Sequence, residues 1–439
     1  MAGTFGSLGI ALSAMRYSQS VMDVAGNNIA NVGTEGYVRR RVEGASVGAP
    51  VQPALWSRYD RVGGDGVAVA GLTRMVEEQA NVRSRREHGS QTFLDTRATS
   101  LSRLESGIGE PGPDGLAAAL ADLKASFDDL ANNPGDQAAR QQVLVKAAIV
   151  GDALRGQAGN VLDEMTDQQV AITEALSEVE TLASDLAATN KAINTATLTE
   201  VDASTLMDNR DRIALRLAEL TGGSASLRPD GGYDFTVGSV ALVQGQQTAT
   251  LTATDVPPGS GEIAARTALV QVDLAAHLDG LNRIAADLAA AVNTAHRGGH
   301  DQDGNPGGDL VAVTAGDEAR TLRVVVSDPR QVAASSVSGP ANLDAGNADA
   351  LADAVRVDAD YRRLVSGFGA TVASTTRLAT NQRVLTDQVD AARDQGAGVN
   401  LDEEMTNMLA AQRGYEAAAR LMRTLDEVLD TLINRTGIR

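Results

Sequence analysis

Residues 5–37 read FGSLGIALSAMRYSQSVMDVAGNNIANVGTEGY. Apolar positions fall at Phe5, Leu8, Leu12, Met15, Met22 and Ile29, and Gln19 and Gly26 complete an alternation of steps of three and four. This heptad seam predicts a helix of about 27 residues, ~40 Å long, whose narrow stripe suits packing on other helices rather than covering a globular core. The seam ends in the carboxamides Asn27, Asn28 and Asn31, followed by Gly33. Asn competes for backbone hydrogen bonds and Gly takes a left-handed turn, so the helix stops there. An amide is neutral and offers both donors and acceptors, whereas burying unpaired charge costs several kcal/mol. The three Asn are therefore expected to fix registry between packed terminal helices, with Tyr37 where the chain leaves the inner layer.

The opposite end mirrors this pattern. Met405, Met408, Gln412, Tyr415, Ala418, Met422, Leu425, Leu429 and Leu432 are again three or four apart, and Asp402, Glu403 and Glu404 occupy the first turn, where carboxylates suit the positive end of the helix dipole. Both ends read as helices with exposed seams. The most economical packing brings the two termini together.

Between them, Leu116, Leu120, Leu123, Phe127 and Leu130 mark a helix stopped at Asn132-Asn133-Pro134-Gly135. An apolar seam from Val143 to Ile193 runs through a Pro-free helix expected over 137–196, about 60 residues and about 90 Å if unbroken, with Gly151, Gly156 and Gly159 as candidate bends. The period changes at Tyr233, Phe235 and Val237, and alternation resumes at Val240 and Leu242 after Gly238-Ser239, a β-hairpin pattern. Thr248–Ala253 and Leu322–Val326 are further strand candidates, and 277–297 and about 348–395 return to helix.

The fold expected is mainly α with a small β insert: long coiled-coil-like helices from both termini packed together and a central β-rich outer domain. The expected units are 1–45 with 398–439, a terminal coiled coil; 46–220 with 271–397, a discontinuous long-helix unit; and 221–270, with 309–340 as a candidate extension, the β-rich insert.

Composition narrows function. The chain has 439 residues, a net charge of -19, no Cys, four His and an aromatic share of only 3%. Nucleic-acid modules need basic stripes, so DNA and RNA are excluded as expected partners, and thiolate metal sites and disulfides are impossible. Residues 1–30 lack a basic n-region and a continuous apolar h-region, and no 18-residue apolar run occurs, so neither a cleaved signal peptide nor membrane spanning is expected.

Chemical motifs are weak. Gly107-Ile108-Gly109-Glu110-Pro111-Gly112 matches GxGxxG but follows a helical seam and contains Pro, so a helix connector is favoured over a nucleotide cradle. Asp301-Gln302-Asp303-Gly304-Asn305 opens like a calcium loop, yet Pro306 and Ala312 occupy the positions of the required Gly and Glu, which favours a polar turn. His296 and His300 are separated by Gly298-Gly299 and read as a solvated loop. With no hydrolase, metalloprotease or Walker pattern, no enzyme activity, cofactor or metal is expected.

Asn27-Asn28-Ile29-Ala30-Asn31-Val32-Gly33-Thr34-Glu35-Gly36-Tyr37 resembles the ANNIANxxTxGY signature of the axial proteins of the bacterial flagellum, the rod, hook and hook-associated family. Gly26, Gly33 and Glu35 depart from the common Ala, Asn and Pro. Gly398-Val399-Asn400-Leu401-Asp402-Glu403-Glu404 resembles the hook-associated members that form the hook-filament junction, and Met408–Tyr415 is similar to the closing helix of rod and hook proteins. Leu206–Asp211, Asp230–Tyr233, Leu242–Gly245 and Asn133-Pro134 with Arg140 extend the resemblance inward. About 40 residues between Gly308 and Ala348 stand where many relatives carry a larger outer insert.

The resemblance implies a structural, non-enzymatic subunit joining hook to filament, exported by the flagellar type III apparatus to the extracellular flagellum without a cleaved signal. It implies assembly with copies of itself, hook protein and the second junction protein, and a flagellar export chaperone on the C-terminal helix. A distal rod or hook protein is the alternative. The expected assembly interface is Phe5, Leu8, Leu12, Met15, Met22, Asn27, Asn28, Ile29, Asn31, Tyr37, Met405, Met408, Gln412, Tyr415, Met422, Leu425 and Leu429.

Overall fold

The computed structural model describes residues 2–34, 36–48, 66–340 and 343–431, with side chains from residue 6 onward. The Phe5 side chain and Leu432 lie outside the described residues.

The chain opens with α1 (Ala2–Ala30), followed by an antiparallel hairpin of β1 (Arg40–Val47) and β2 (Gly66–Arg74). The hairpin packs on α1. Gly66 makes this possible, since a Cβ there would lie 2.1 Å from Ser13 Oγ, and Ser13 Oγ accepts a hydrogen bond from the Val67 amide at 3.2 Å.

The body is built around one helix. After α2 (Glu78–Ile108) and α3 (Leu116–Asn132), α4 runs from Gln137–Leu198, 62 residues and roughly 93 Å long. Asp136 caps its start by accepting from the Ala138 amide at 2.8 Å. The three glycines do not break it: Gly151 is where the Leu322 carbonyl closes on the helix, 2.8 Å from an added Cβ. α4 passes through two apolar cores. In the first, Val143, Val150, Leu154 and Val161 pack with Leu120 and Phe127 of α3, with α2, and with Leu281, Leu288, Leu351 and Phe368 from later helices. In the second, Ile172, Val179 and Leu186 pack with Ile213 and Leu217 of the helix that follows and with Tyr233 and Phe235 of a small sheet. A polar belt separates them. Glu164 accepts from Ser100 Oγ at 2.6 Å and Gln168 Nε2 at 2.8 Å, and Arg266 reaches Gln168 Oε1 at 2.7 Å.

α5 (Ser204–Thr221) leads into an antiparallel sheet of β3 (Ser224–Leu227), β4 (Tyr233–Val237), β5 (Val240–Gln244) and β6 (Gln247–Thr248). The β4–β5 hairpin lies where alternation predicts it; of 248–253 only Thr248 is in a strand. α6 (Glu262–Ala268) joins α7 (Leu274–Arg297) through a π turn, which places Asp273 against Arg97 at 2.8 Å. A minimal ladder of β7 (Val311–Ala312) and β8 (Arg323–Val324) brackets α8 (Glu318–Thr321), and α9 (Gly346–Ala354) precedes α10 (Asp358–Ala397) and α11 (Leu401–Asp430).

The fold is therefore mainly α with small sheets, and the two terminal helices pack on each other. α10 runs antiparallel to α2 through polar contacts, Asp390 meeting Ser84 and His88, and Arg383 meeting Asp95.

Candidate functional site

α1 and α11 form an antiparallel pair whose closest line is built from small residues. Ala11, Ser18 and Ala25 are buried on α1, and Ala411 and Ala418 on α11, each a heptad apart. A Cβ on Gly414 would stand 3.1 Å from Ser18 Oγ, so the backbones approach closely there. The seam thus differs in register from the apolar spacing. Leu8, Met15, Met22 and Ile29 are half-buried flanks and Leu12 is exposed; Glu404 and Ala411 occupy the inward positions that the spacing gives to Met405 and Gln412, which face solvent. Met408, Tyr415, Met422, Leu425 and Leu429 are half-buried in line with Ala411 and Ala418. The reason is steric: two long helices approach most closely over Ala, Ser and Gly, which pushes the larger side chains to the flanks.

At the C-terminal end of α1, Asn28 is fully buried. Its Nδ2 donates to the Arg40 carbonyl and to Glu404 Oε2, both at 2.9 Å, while its Oδ1 accepts from the Tyr37 hydroxyl at 2.8 Å and the Arg40 amide at 3.1 Å. All four bonding positions of the carboxamide are filled, by Tyr37 and Arg40 from the segment after α1 and by Glu404 from α11. Glu404, also buried, accepts from Arg39 Nε at 2.7 Å, and Arg39 reaches Glu403 at 2.7 Å. The Arg39 amide donates to the Ala397 carbonyl at 3.0 Å, so the departure from α1 and the entry to α11 are stitched side by side. Asn400 caps α11 through the Asp402 and Glu403 amides. Burial pushes the Tyr37 hydroxyl pKa up, which keeps it a donor.

Asn27 and Asn31 behave differently. They finish the helix locally, Asn31 Nδ2 donating to the carbonyl and side chain of Asn27, and do not reach α11.

The joint continues into the body. Arg40 donates to Asp208 at 3.1 Å, and Arg74 from β2 reaches Asp208 at 2.7 Å and Asp211 at 2.8 Å. Between these acids Arg210 donates to Asp211 at 2.6 Å and also to the Gly231 carbonyl, lying 3.8 Å over the Tyr233 ring, which also carries Arg85 at 4.9 Å. Asn190 then ties Tyr233 to the Gly245 carbonyl. Leu206–Asp211, Asp230–Tyr233 and Leu242–Gly245 thus form one connected network from the terminal pair to the sheet. Arg140, buried, donates to the Pro134 and Val332 carbonyls.

Among the described residues no cluster of His, Asp and Glu could hold a metal. Gly107–Gly112 links α2 to α3, and Asp301 closes a polar turn by accepting from the Asp303 and Asn305 amides at 2.9 and 2.8 Å. The His296 reading is corrected: it is fully buried, accepting at Nε2 from the Ala333 amide and donating from Nδ1 to the Gly308 carbonyl, because residues 299–308 and 333 fold back over the end of α7. Two clefts flank the joint: one of 640 Å³ between α1, β1 and the start of α11, and one of 310 Å³ between the end of α1 and α5.

Three family models match at the regions this joint connects. Residues 8–37 match the flagella basal body rod protein, 101–261 the helical domain of flagellar hook-associated protein FlgK, and 393–435 the C-terminal region of flagellar basal body rod FlgEFG proteins. Flagellar hook-associated protein 1 of Bacillus subtilis (strain 168) is 25% identical over 509 residues, covering 100% of this chain and 99% of that relative. Over its whole length the chain is similar to flagellar hook-associated protein 1. Flagellar hook-associated protein 1 of Escherichia coli (strain K12) is 21% identical, covering 97% of this chain and 98% of its own length. A solved structure of the flagellar hook junction protein FlgK from Burkholderia pseudomallei superposes with a TM-score of 0.49 and 22% identity over 54% of this chain and 47% of that one. Asn28, Asp208 and Glu404 lie one in each matched region.

Proposed function

We propose that this protein is a structural, non-enzymatic subunit that joins hook to filament in the bacterial flagellum and assembles through its terminal helices. The observation that carries the reading is the Asn28–Glu404 joint, which makes the two chain ends one antiparallel pair. On that pair Leu12, Met405, Leu409, Leu421 and Val428 remain 42%, 51%, 49%, 46% and 44% exposed. Uncovered apolar side chains on a two-helix layer are stabilised by neighbouring subunits, at roughly 25 cal/mol per Å² of apolar surface buried. The sequence-predicted interface residues divide accordingly: Asn28 holds the pair together, and exposed and flanking residues meet copies of the chain, hook protein and the second junction protein.

The chain reaches the extracellular flagellum through the flagellar type III apparatus without a cleaved signal, an export chaperone covering α11 beforehand. The units are the terminal pair, the wall around α4 and an outward β-rich insert. A distal rod or hook subunit is the second reading, favoured by the rod-protein matches at 8–37 and 393–435 and opposed by the match at 101–261. The test is fractionation of sheared flagella: the chain travels with hook-filament material, and its absence there while it is expressed rejects the reading.

A further inference from the structure

The 310 Å³ cleft beside Asn28 has walls from the end of α1 (Asn27, Asn31, Tyr37) and from α5 (Asp208, Asn209, Arg212), with Arg40 between them. Each of its amide and carboxylate acceptors is already engaged within the chain. Asn27 Oδ1 accepts from Asn31 Nδ2 at 2.8 Å, Asn31 Oδ1 from Thr34 Oγ1 at 3.2 Å and Asn209 Oδ1 from Arg212 Nη2 at 2.7 Å; Asp208 is divided between Arg40 and Arg74. The groups left over are donors: Asn27 Nδ2, and Nε and Nη1 of the exposed Arg212, have no partner among the described residues. The contrast within the joint is direct, since Arg39, Arg40, Arg74 and Arg210 each hold a carboxylate while Arg212 holds only an amide oxygen.

A cleft whose acceptors are engaged and whose amide and guanidinium donors are spare favours an acceptor that brings negative charge, which is a carboxylate. We propose that this cleft receives an acidic side chain from a second copy of the chain, with Arg212 as its anchor. The proposal rests on the assembly reading above and names one of its contacts. The source follows from charge and exposure: the chain carries 57 acids against 38 Lys and Arg, and exposed Asp402, Glu416, Asp426 and Glu427 line the helix that assembly would place against neighbours. Copy-to-copy contact through the cleft would couple subunit binding to the same α1–α5 joint that holds the terminal pair in place.

The test uses the scarcity of lysine, since Lys124, Lys146 and Lys191 are the only three in the chain. Arg212→Lys places an amine at the cleft, and a carbodiimide joins an amine to a carboxylate in contact with it. In isolated hook-filament junctions built from this full-length variant, the expected product is a cross-link from the amine introduced at position 212 to a carboxylate of a second copy, absent from the wild-type material. Arg212→Glu is expected to weaken copy-to-copy association about tenfold, and more at low than at high salt. An assembled variant in which the introduced amine links only to Asp208 of its own chain, to hook protein, or to nothing overturns the cleft contact and leaves the assembly reading standing. Wild-type junction material in which the chain is found only as a monomer by native mass spectrometry overturns the assembly reading and this inference with it.

Discussion

Asn28 Nδ2 donates to Glu404 Oε2 at 2.9 Å, a hydrogen bond that joins positions 376 residues apart and closes the chain on itself. Asn28→Leu removes four hydrogen bonds and leaves Glu404, the Tyr37 hydroxyl and the Arg40 backbone short of partners in a buried site. The expected cost is about 3 kcal/mol of terminal-pair stability. Hydrogen exchange is expected to show faster exchange across residues 2–30 and 401–430 with α4 unchanged.

Asp208 takes charge-assisted bonds from both Arg40 and Arg74 at a site where all three side chains are mostly buried. Asp208→Asn leaves two guanidiniums to Asp211, Asp202 and solvent, and about 2 kcal/mol of local stability is expected to be lost. Hydrogen exchange in β1 and β2 is the readout, since the hairpin loses its anchor while the cores around α4 do not.

His88 lies between two carboxylates, Asp390 Oδ2 at 2.7 Å from Nε2 and Glu219 Oε1 at 3.4 Å from Nδ1, and bonding to Glu219 and Asp390 raises its pKa against the opposing effect of burial. A histidine whose folded pKa is raised contributes stability that is complete below the unfolded value, near 6.5, and is lost as pH rises through the folded value. His88→Gln is therefore expected to cost about 1–2 kcal/mol near pH 6 and little near pH 9, measured by denaturant unfolding at each pH.

His277 has the opposite sign. It is buried on α7 against Phe368, ring centroids 4.7 Å apart, neither ring nitrogen has a partner among the described residues, and burial lowers its pKa to about 4. The unfolded chain then binds a proton that the folded chain refuses, so stability falls by about 2 kcal/mol between neutral pH and about pH 5. His277→Leu is expected to remove that acid sensitivity and raise the melting temperature at neutral pH, as measured calorimetrically.

Elements with a strong period were legible in the sequence. The seam from Val143 to Ile193 predicts α4, and the alternation at Tyr233–Val237 predicts the hairpin, because apolar spacing alone determines which face is buried there. β1 and β2 were not legible, since nearly all their side chains remain half or fully exposed and so leave no apolar alternation to read. The register of the terminal pair was hidden for a related reason: Ala11, Ser18 and Ala25 are buried because they are small, while the spacing of larger side chains points one residue away. At the joint, the amides at 27–31 announced a helix end. That Asn28 alone meets Glu404 depends on the return of the chain through α10, which no local pattern encodes. Asp208, Asp211 and Arg210 stood out only as part of a motif, and their contacts follow from helix geometry once Arg74 and Tyr233 are placed.

The central claim is that this chain is the structural connection between hook and filament. Its most direct test is electron microscopy of cells from which the chain has been deleted, with filament protein assayed in the medium. The account predicts hooks of normal length without filaments and filament protein released unassembled, restored by the wild-type chain and only weakly by Asn28→Leu. Filaments of normal length on those hooks would contradict it.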